Sequence, residues 1–147
     1  DFTGLGRGGE GPHGWPVVRG WASDRAENGA LTGWVEDVRG SYGAGDVFLL
    51  PTKDESRGIV VLEAMACGKA VVLSDIPVFR EFYTDGEDCL MCSSFGEYVD
   101  ALDRLAAKPG LRERLGENAE ETAAEHSLDR VARELDDAYR SVVETRS

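Results

Sequence analysis

Apolar residues along the chain form short runs that alternate with stretches of helical spacing. The apolar run at 47–50 ends at Pro51 and the run at 70–73 follows Gly68, which is typical of buried strands, and the first of these strands is predicted at 46–50. The segment from Gly58 to Gly68 lies between them and predicts a helix. The same criteria predict strands at 30–34 and 89–93, helices at 17–27 and 38–42, and a turn or short helix at 77–82. This alternation predicts an α/β, Rossmann-like fold in which helices cover both faces of a parallel sheet.

Three apolar stripes after residue 95 predict C-terminal helices, and Pro109-Gly110 separates the first from the second. We expect all three stripes to face the core. They consist of Tyr98, Leu102 and Leu105; then Leu111, Leu115, Ala119 and Ala123; then Leu128, Val131, Leu135, Tyr139 and Val142. The sequence thus predicts one partial domain over 1–147. It has a glycine-rich irregular start at 1–16, an α/β core at 17–95 and C-terminal helices at 96–147.

Composition excludes several classes of function. The net charge of −12 argues against a nucleic-acid partner, because such binding depends on cation–phosphate contacts. No apolar run approaches the roughly 18 residues of a membrane span. Cys67, Cys89 and Cys92 are expected to be buried free thiols, since no second pair completes a zinc site. Reduced thiols suit the cytoplasm, which is the predicted location.

The loop and helix at 55–63 carry the candidate chemistry. Gly58 stands where the helix begins, and the free backbone amides at such a helix start can hold a phosphate. Glu55 precedes the helix, and Glu63 lies about one and a half turns into it. Carboxylates accept hydrogen bonds from hydroxyls, so the pair suits a ligand with a central phosphate and sugars at both ends. The alternative is a loop acid resembling an N-cap and a solvated helix acid.

Three segments that follow predicted strands are expected to meet at one edge of the sheet. They are Trp34-Val35, Pro51-Thr52 and the loop from Glu55 to Gly58. Ligands of open α/β sheets bind in a crevice outside the carboxyl ends of the strands. We therefore expect these segments to line a common crevice.

The segments 45–51, 55–68 and 69–77 resemble the C-terminal domain of retaining glycosyltransferases with the GT-B fold. Within this class, the segments resemble family 4, which is the glycogen-synthase-like group known as glycosyl transferases group 1. The likeness continues upstream through 31–35 and 41–44 and downstream through 79–81 and 85–86, and it covers roughly residues 29 to 143.

The resemblance implies a role for each matching residue. Glu63 would hold the ribose hydroxyls of a nucleotide sugar, and Glu55 would lie beside the donor sugar as the catalytic carboxylate. The amides of Ile59 and Val60, just after Gly58, would meet the diphosphate or the sugar. Val35 would pack on the nucleobase, with Trp34 adjacent to it.

Two further residues are weaker candidates, and the resemblance also implies what is missing. Arg57 stands where the family commonly has an aromatic residue, so it either projects to solvent or supplies a cation to substrate. Thr52 is a second candidate contact. The donor would be a UDP-, GDP- or ADP-sugar, with no cofactor and no metal. The family's diphosphate-binding arginine and lysine, and the N-terminal domain that binds the acceptor, lie upstream of the matched segments.

These gaps imply a donor-binding part that is inactive alone. The parent would act on a glycan, lipid or small acceptor, and it would be cytoplasmic or peripheral at the inner face of the membrane. The alternatives are a non-catalytic nucleotide-sugar-binding or interaction module, or another GT-B enzyme such as a sugar-nucleotide epimerase. The resemblance also implies that residues 2–5 are the remnant of a strand, and an incomplete sheet edge there predicts self-association.

Overall fold

The computed structural model describes residues 2–4, 29–31 and 37–144, and the chain divides into two compact units. In the first unit, Asp1–Asp46, strand β1 (Phe2–Gly4) pairs in parallel with strand β2 (Gly29–Leu31). Helix α1 (Val38–Ala44) follows. These elements confirm the predicted strands at their described residues and the short helix. The helix predicted at 17–27 lies outside the described residues, and the single partial domain over 1–147 stays a prediction.

The second unit, Val47–Ser147, contains a three-stranded parallel sheet in the order β3-β4-β5. The strands are β3 (Val47–Leu50), β4 (Ala70–Ser74) and β5 (Leu90–Cys92). Helix α2 (Ile59–Ala66) connects the first pair, and helix α3 (Pro77–Phe82) connects the second. Three helices complete the unit, namely α4 (Phe95–Ala107), α5 (Pro109–Glu125) and α6 (Leu128–Glu144). The predicted α/β fold with a parallel sheet is confirmed.

Both faces of the central strand are covered. Ala70 and Val72 of β4 pack in a core with Leu105 of α4 and Leu115 of α5. Side chains alternate along a strand, so Val71 and Leu73 point to the opposite face. Both are fully buried, as are Val61 and Met65 of α2 and Phe79 of α3. The predicted core-facing stripes of α4 and α5 are confirmed, because every member of both stripes is buried or partly buried.

Helix α5 approaches the end of α2 so closely that no side chain fits between them. A Cβ atom at Gly116 would lie 2.3 Å from the carbonyl oxygen of Gly68. Gly68 has a φ of +64°, in the left-handed region that glycine adopts without strain. These two glycines therefore set how closely α5 lies against the turn between α2 and β4.

The expectation for α6 is wrong. Its apolar stripe does not face the core, since Leu128, Leu135 and Tyr139 are 87%, 52% and 71% exposed. Val131 and Val142 are also exposed. No other helix or strand in the described part of the chain packs extensively against α6. The spacing specifies an amphipathic helix, but it does not specify which surface covers the apolar side.

The cysteines differ from expectation at one position. Cys89 and Cys92 are buried free thiols, as predicted, whereas Cys67 is only half-buried at the end of α2. Burial raises the pKa of the Cys92 thiol to about 11, with nearby Glu97 acting in the same direction. Burial also raises the pKa of Cys89 well above its usual range, and the adjacent Asp88 adds to this. Both thiols are therefore protonated and unreactive near neutral pH.

Candidate functional site

The candidate site begins where β3 ends. Thr52 donates a hydrogen bond from its hydroxyl to the carbonyl oxygen of Asp54 at 2.7 Å, which turns the chain away from the strand. Asp54, Glu55 and Ser56 then line an open depression of about 400 Å³. The hydroxyl of Thr52 is therefore engaged in shaping the loop.

The Glu55 carboxylate is hydrogen-bonded to the backbone of the next residue. Its Oε1 atom accepts a hydrogen bond from the backbone amide of Ser56 at 2.9 Å. The residue is half-buried and lines the depression, and a carboxylate oxygen can accept more than one hydrogen bond. This local bond restricts the side chain, and among the described residues no other element bonds to it.

Gly58 forms the junction between the loop and α2. It is the N-cap residue, with φ of +67° and ψ of +55°. It is buried against α3, where a Cβ atom would lie 2.9 Å from Cε1 of Phe79. Its carbonyl accepts a hydrogen bond from the amide of Val61 at 2.8 Å, and this bond closes the first turn. Only glycine satisfies both the backbone conformation and the space.

The start of α2 presents amides and exposed side chains together. The amides of Ile59 and Val60 belong to the first helical positions, which have no intrahelical acceptor. No side chain caps this helix start. Glu63 is exposed and follows Ile59 by four residues, so it lies on the same flank of α2. The structure therefore places a helix start without a side-chain cap between two carboxylate-bearing residues, Glu55 and Glu63.

Arg57 is exposed, as one of its two alternatives predicts, and it also lies near an aromatic ring; its supply of a cation to substrate stays a prediction. Its side chain is exposed, and its guanidinium carbon lies 5.3 Å from the centroid of the Phe82 ring on α3. Burial raises the pKa of the neighbouring Tyr83 to about 12, and the positive charge of Arg57 opposes that rise. Tyr83 therefore stays neutral beside the loop.

Sequence analysis missed the aromatic support of the loop. Phe79 and Phe82 are three residues apart on one short helix, and nothing in that spacing indicates that they lie beneath Arg57 and Gly58. By contrast, the residues from Thr52 to Glu63 are brought together because they are contiguous. Trp34 and Val35 lie outside the described residues, so their predicted roles stay predictions. The roles of the contiguous residues stay predictions as well.

No metal centre and no membrane span occur within residues 37–144 or the two described strands before them. No group of three or more histidine, cysteine, aspartate or glutamate side chains there is placed to hold a metal ion. No described helix is long and apolar enough to cross a membrane. The expected independence from cofactor and metal, and the predicted location, stay predictions.

Comparison with known proteins identifies the family. The family model for glycosyl transferases group 1 matches residues 7–108. D-inositol 3-phosphate glycosyltransferase of Kribbella flavida is 37% identical over 106 residues, which are 71% of this chain and 25% of that protein. Alpha-D-kanosaminyltransferase of Streptomyces kanamyceticus is 32% identical over 117 residues, which are 76% of this chain and 30% of that protein.

A solved structure supports the same assignment. Sucrose-phosphate synthase from Thermosynechococcus elongatus superposes with a TM-score of 0.72 and 25% identity, over 80% of this chain and 31% of its own. The fold is thus that of GT-B glycosyltransferases. The chain belongs to the family of glycosyl transferases group 1. The chain spans about a quarter of the length of the Kribbella flavida protein.

Proposed function

We propose that this chain is the donor-binding part of a retaining glycosyltransferase of family 4. It would bind a nucleoside-diphosphate sugar, and the parent protein would transfer the sugar to a glycan, lipid or small acceptor. The observation that supports this most is the conformation of Gly58. It is left-handed and seated on Phe79, and it leaves the first amides of α2 open between Glu55 and Glu63.

The proposed chemistry is electrostatic. The amides of Ile59 and Val60 would hold the donor diphosphate and stabilise the negative charge that develops on it as the sugar leaves. Such preorganised donors are effective because they need no reorientation during the reaction. The acceptor would attack from the face that the diphosphate leaves, which retains the configuration. No metal ion is required in this scheme.

The two carboxylates would have separate tasks. Glu63, on the exposed flank of α2, would accept hydrogen bonds from the ribose hydroxyls. Glu55, at the depression before the helix, would accept hydrogen bonds from the donor sugar. Glu55 therefore positions the sugar and does not act as a general base.

Titration calorimetry on two variants tests this division. Glu63→Ala should weaken binding of a bare nucleoside diphosphate and of its glucose conjugate alike, by about ten- to a hundredfold. Glu55→Ala should weaken only the conjugate, because the bare nucleotide does not extend to Glu55. UDP, GDP and ADP and their glucose conjugates form the panel.

Glu121→Ala is the matched control, because Glu121 is an exposed glutamate on α5. It should leave every affinity unchanged. Equal losses of bare nucleotide affinity in both site variants would refute the assigned roles. Absence of binding by the wild-type chain to all six probes would favour an interaction module over a donor-binding part.

A further inference from the structure

The loop that carries Glu55 rests on helix α3 through two adjacent contacts. Gly58 packs against Phe79 with no space for a Cβ atom. One residue earlier, the guanidinium carbon of Arg57 lies 5.3 Å from the centroid of the Phe82 ring. A cation within about 6 Å of a ring centroid is attracted to the ring face. Two consecutive loop residues, Arg57 and Gly58, therefore both contact helix α3.

Arg57 has no carboxylate partner among the residues that the structure describes. Ion pairs there join Arg39 to Asp37, Arg80 to Asp75, Arg130 to Glu134 and Arg140 to Asp136. The chain has 28 aspartate and glutamate residues, so carboxylates that could pair with an arginine are abundant in it. Arg57 is directed at an aromatic ring instead. Arginine suits this contact better than lysine, because its planar guanidinium stacks on a ring face.

The Phe82 ring is itself held by a second element. It meets the ring of His126 edge-on, with centroids 6.1 Å apart and an interplanar angle of 79°. His126 caps the end of α5, and its Nδ1 atom lies 2.9 Å from the carbonyl oxygen of Thr122. A carbonyl only accepts, so Nδ1 carries the proton in this bond. The ring beneath Arg57 therefore lies between the loop and the end of α5.

We propose that Arg57 is a positioning residue for the donor site. Its cation–π contact with Phe82, next to the packing of Gly58 on Phe79, fixes the path of the loop. The Glu55 carboxylate and the first amides of α2 then keep their positions for the donor. Arg57 acts through these groups and does not itself contact the donor. This inference rests on the proposed function, because it takes residues 55–60 as the donor site.

Three variants separate a positioning role from direct binding. Arg57→Gln removes both the charge and the guanidinium group, and Phe82→Leu removes the ring. Arg57→Phe removes the charge but retains a ring that can pack on Phe82. Phe95→Leu is the control for the ring removal, because Phe95 is 84% exposed on α4.

Calorimetry with UDP-, GDP- and ADP-glucose should then give a defined pattern. Arg57→Gln and Phe82→Leu should each weaken binding about two- to fivefold, and the double variant should be no weaker than either. Arg57→Phe should stay within about twofold of the wild type, as should Phe95→Leu. Unchanged affinity in Phe82→Leu overturns the proposal, and if Arg57→Phe is then as weak as Arg57→Gln, the charge acts on the ligand instead. If Phe82→Leu and Arg57→Phe are both weak, the charge is needed for the contact with the ring and the positioning role stands.

A measurement without ligand keeps this proposal separate from the proposed function. In NMR spectra, the Phe82 ring should shift the Arg57 side-chain protons upfield, and Phe82→Leu should abolish that shift. Amide exchange at Ser56 should become faster in both Arg57→Gln and Phe82→Leu, because its bond to Glu55 depends on the loop position. Unchanged exchange in both variants refutes the positioning role, even if donors bind. If no donor binds, the proposed function fails, and the exchange rates alone decide whether Arg57 fixes the loop.

Discussion

Replacing Gly58 by alanine should destabilise the fold and the candidate site together. At φ of +67°, an alanine would adopt the left-handed conformation at a cost of roughly 1–2 kcal/mol. Its Cβ atom would also lie 2.9 Å from Phe79 Cε1 and 3.2 Å from Val61 Cγ2. Overpacking of this kind typically costs about 1–3 kcal/mol. The two effects together predict a loss of about 2–5 kcal/mol in the free energy of unfolding.

Alanine variants of two other glycines separate the backbone strain from the steric clash. Gly86 has φ of +79°, and a Cβ atom there would have nothing within 4 Å, so Gly86→Ala should show the backbone strain alone. Gly110 also has open space, and it lies in the first turn of α5 without positive φ. Gly110→Ala should therefore be neutral or slightly stabilising. Urea denaturation followed by circular dichroism measures all three variants on one scale.

A double-mutant cycle tests the contact with α3. In a Phe79→Leu background the ring edge is gone, so Gly58→Ala should cost less than it does in the wild type. The coupling should be at least about 1 kcal/mol if the clash is real. Equal costs in both backgrounds, or a Gly58→Ala cost no greater than that of Gly86→Ala, would refute the argument that Phe79 supports the loop.

Two further predictions concern packing away from the site. Gly116→Ala should cost at least about 2 kcal/mol in urea denaturation although alanine favours helices, because its Cβ atom would lie 2.3 Å from the Gly68 carbonyl oxygen. A stabilised Gly116→Ala variant would show that α5 does not lie so close. Leu115→Ala should cost about 2–5 kcal/mol, whereas Leu135→Ala should stay within about 0.5 kcal/mol, because Leu115 is fully buried and Leu135 is 52% exposed. Equal losses at the two leucines would mean that α6 packs in the core.

The sequence by itself determined the local elements and the outline of the candidate site. The apolar runs specified β3 and β4, because strand periodicity is a local property. Pro109-Gly110 marked the break after α4, and the structure places the pair in the first turn of α5, where proline is tolerated. The position of Gly58 at the start of α2 was predictable for the same reason. The order of strands and helices was enough to predict a parallel sheet, since connections between parallel strands obey strict topological rules.

Only the tertiary structure decided which distant residues meet. Phe79 and Phe82 support the loop at 55–58, and Gly116 lies against Gly68, through contacts that no spacing along the chain encodes. The apolar stripe of α6 shows the same limit of prediction from sequence. Its period specified an amphipathic helix, but exposure depends on what packs against it, and that is a property of the whole fold.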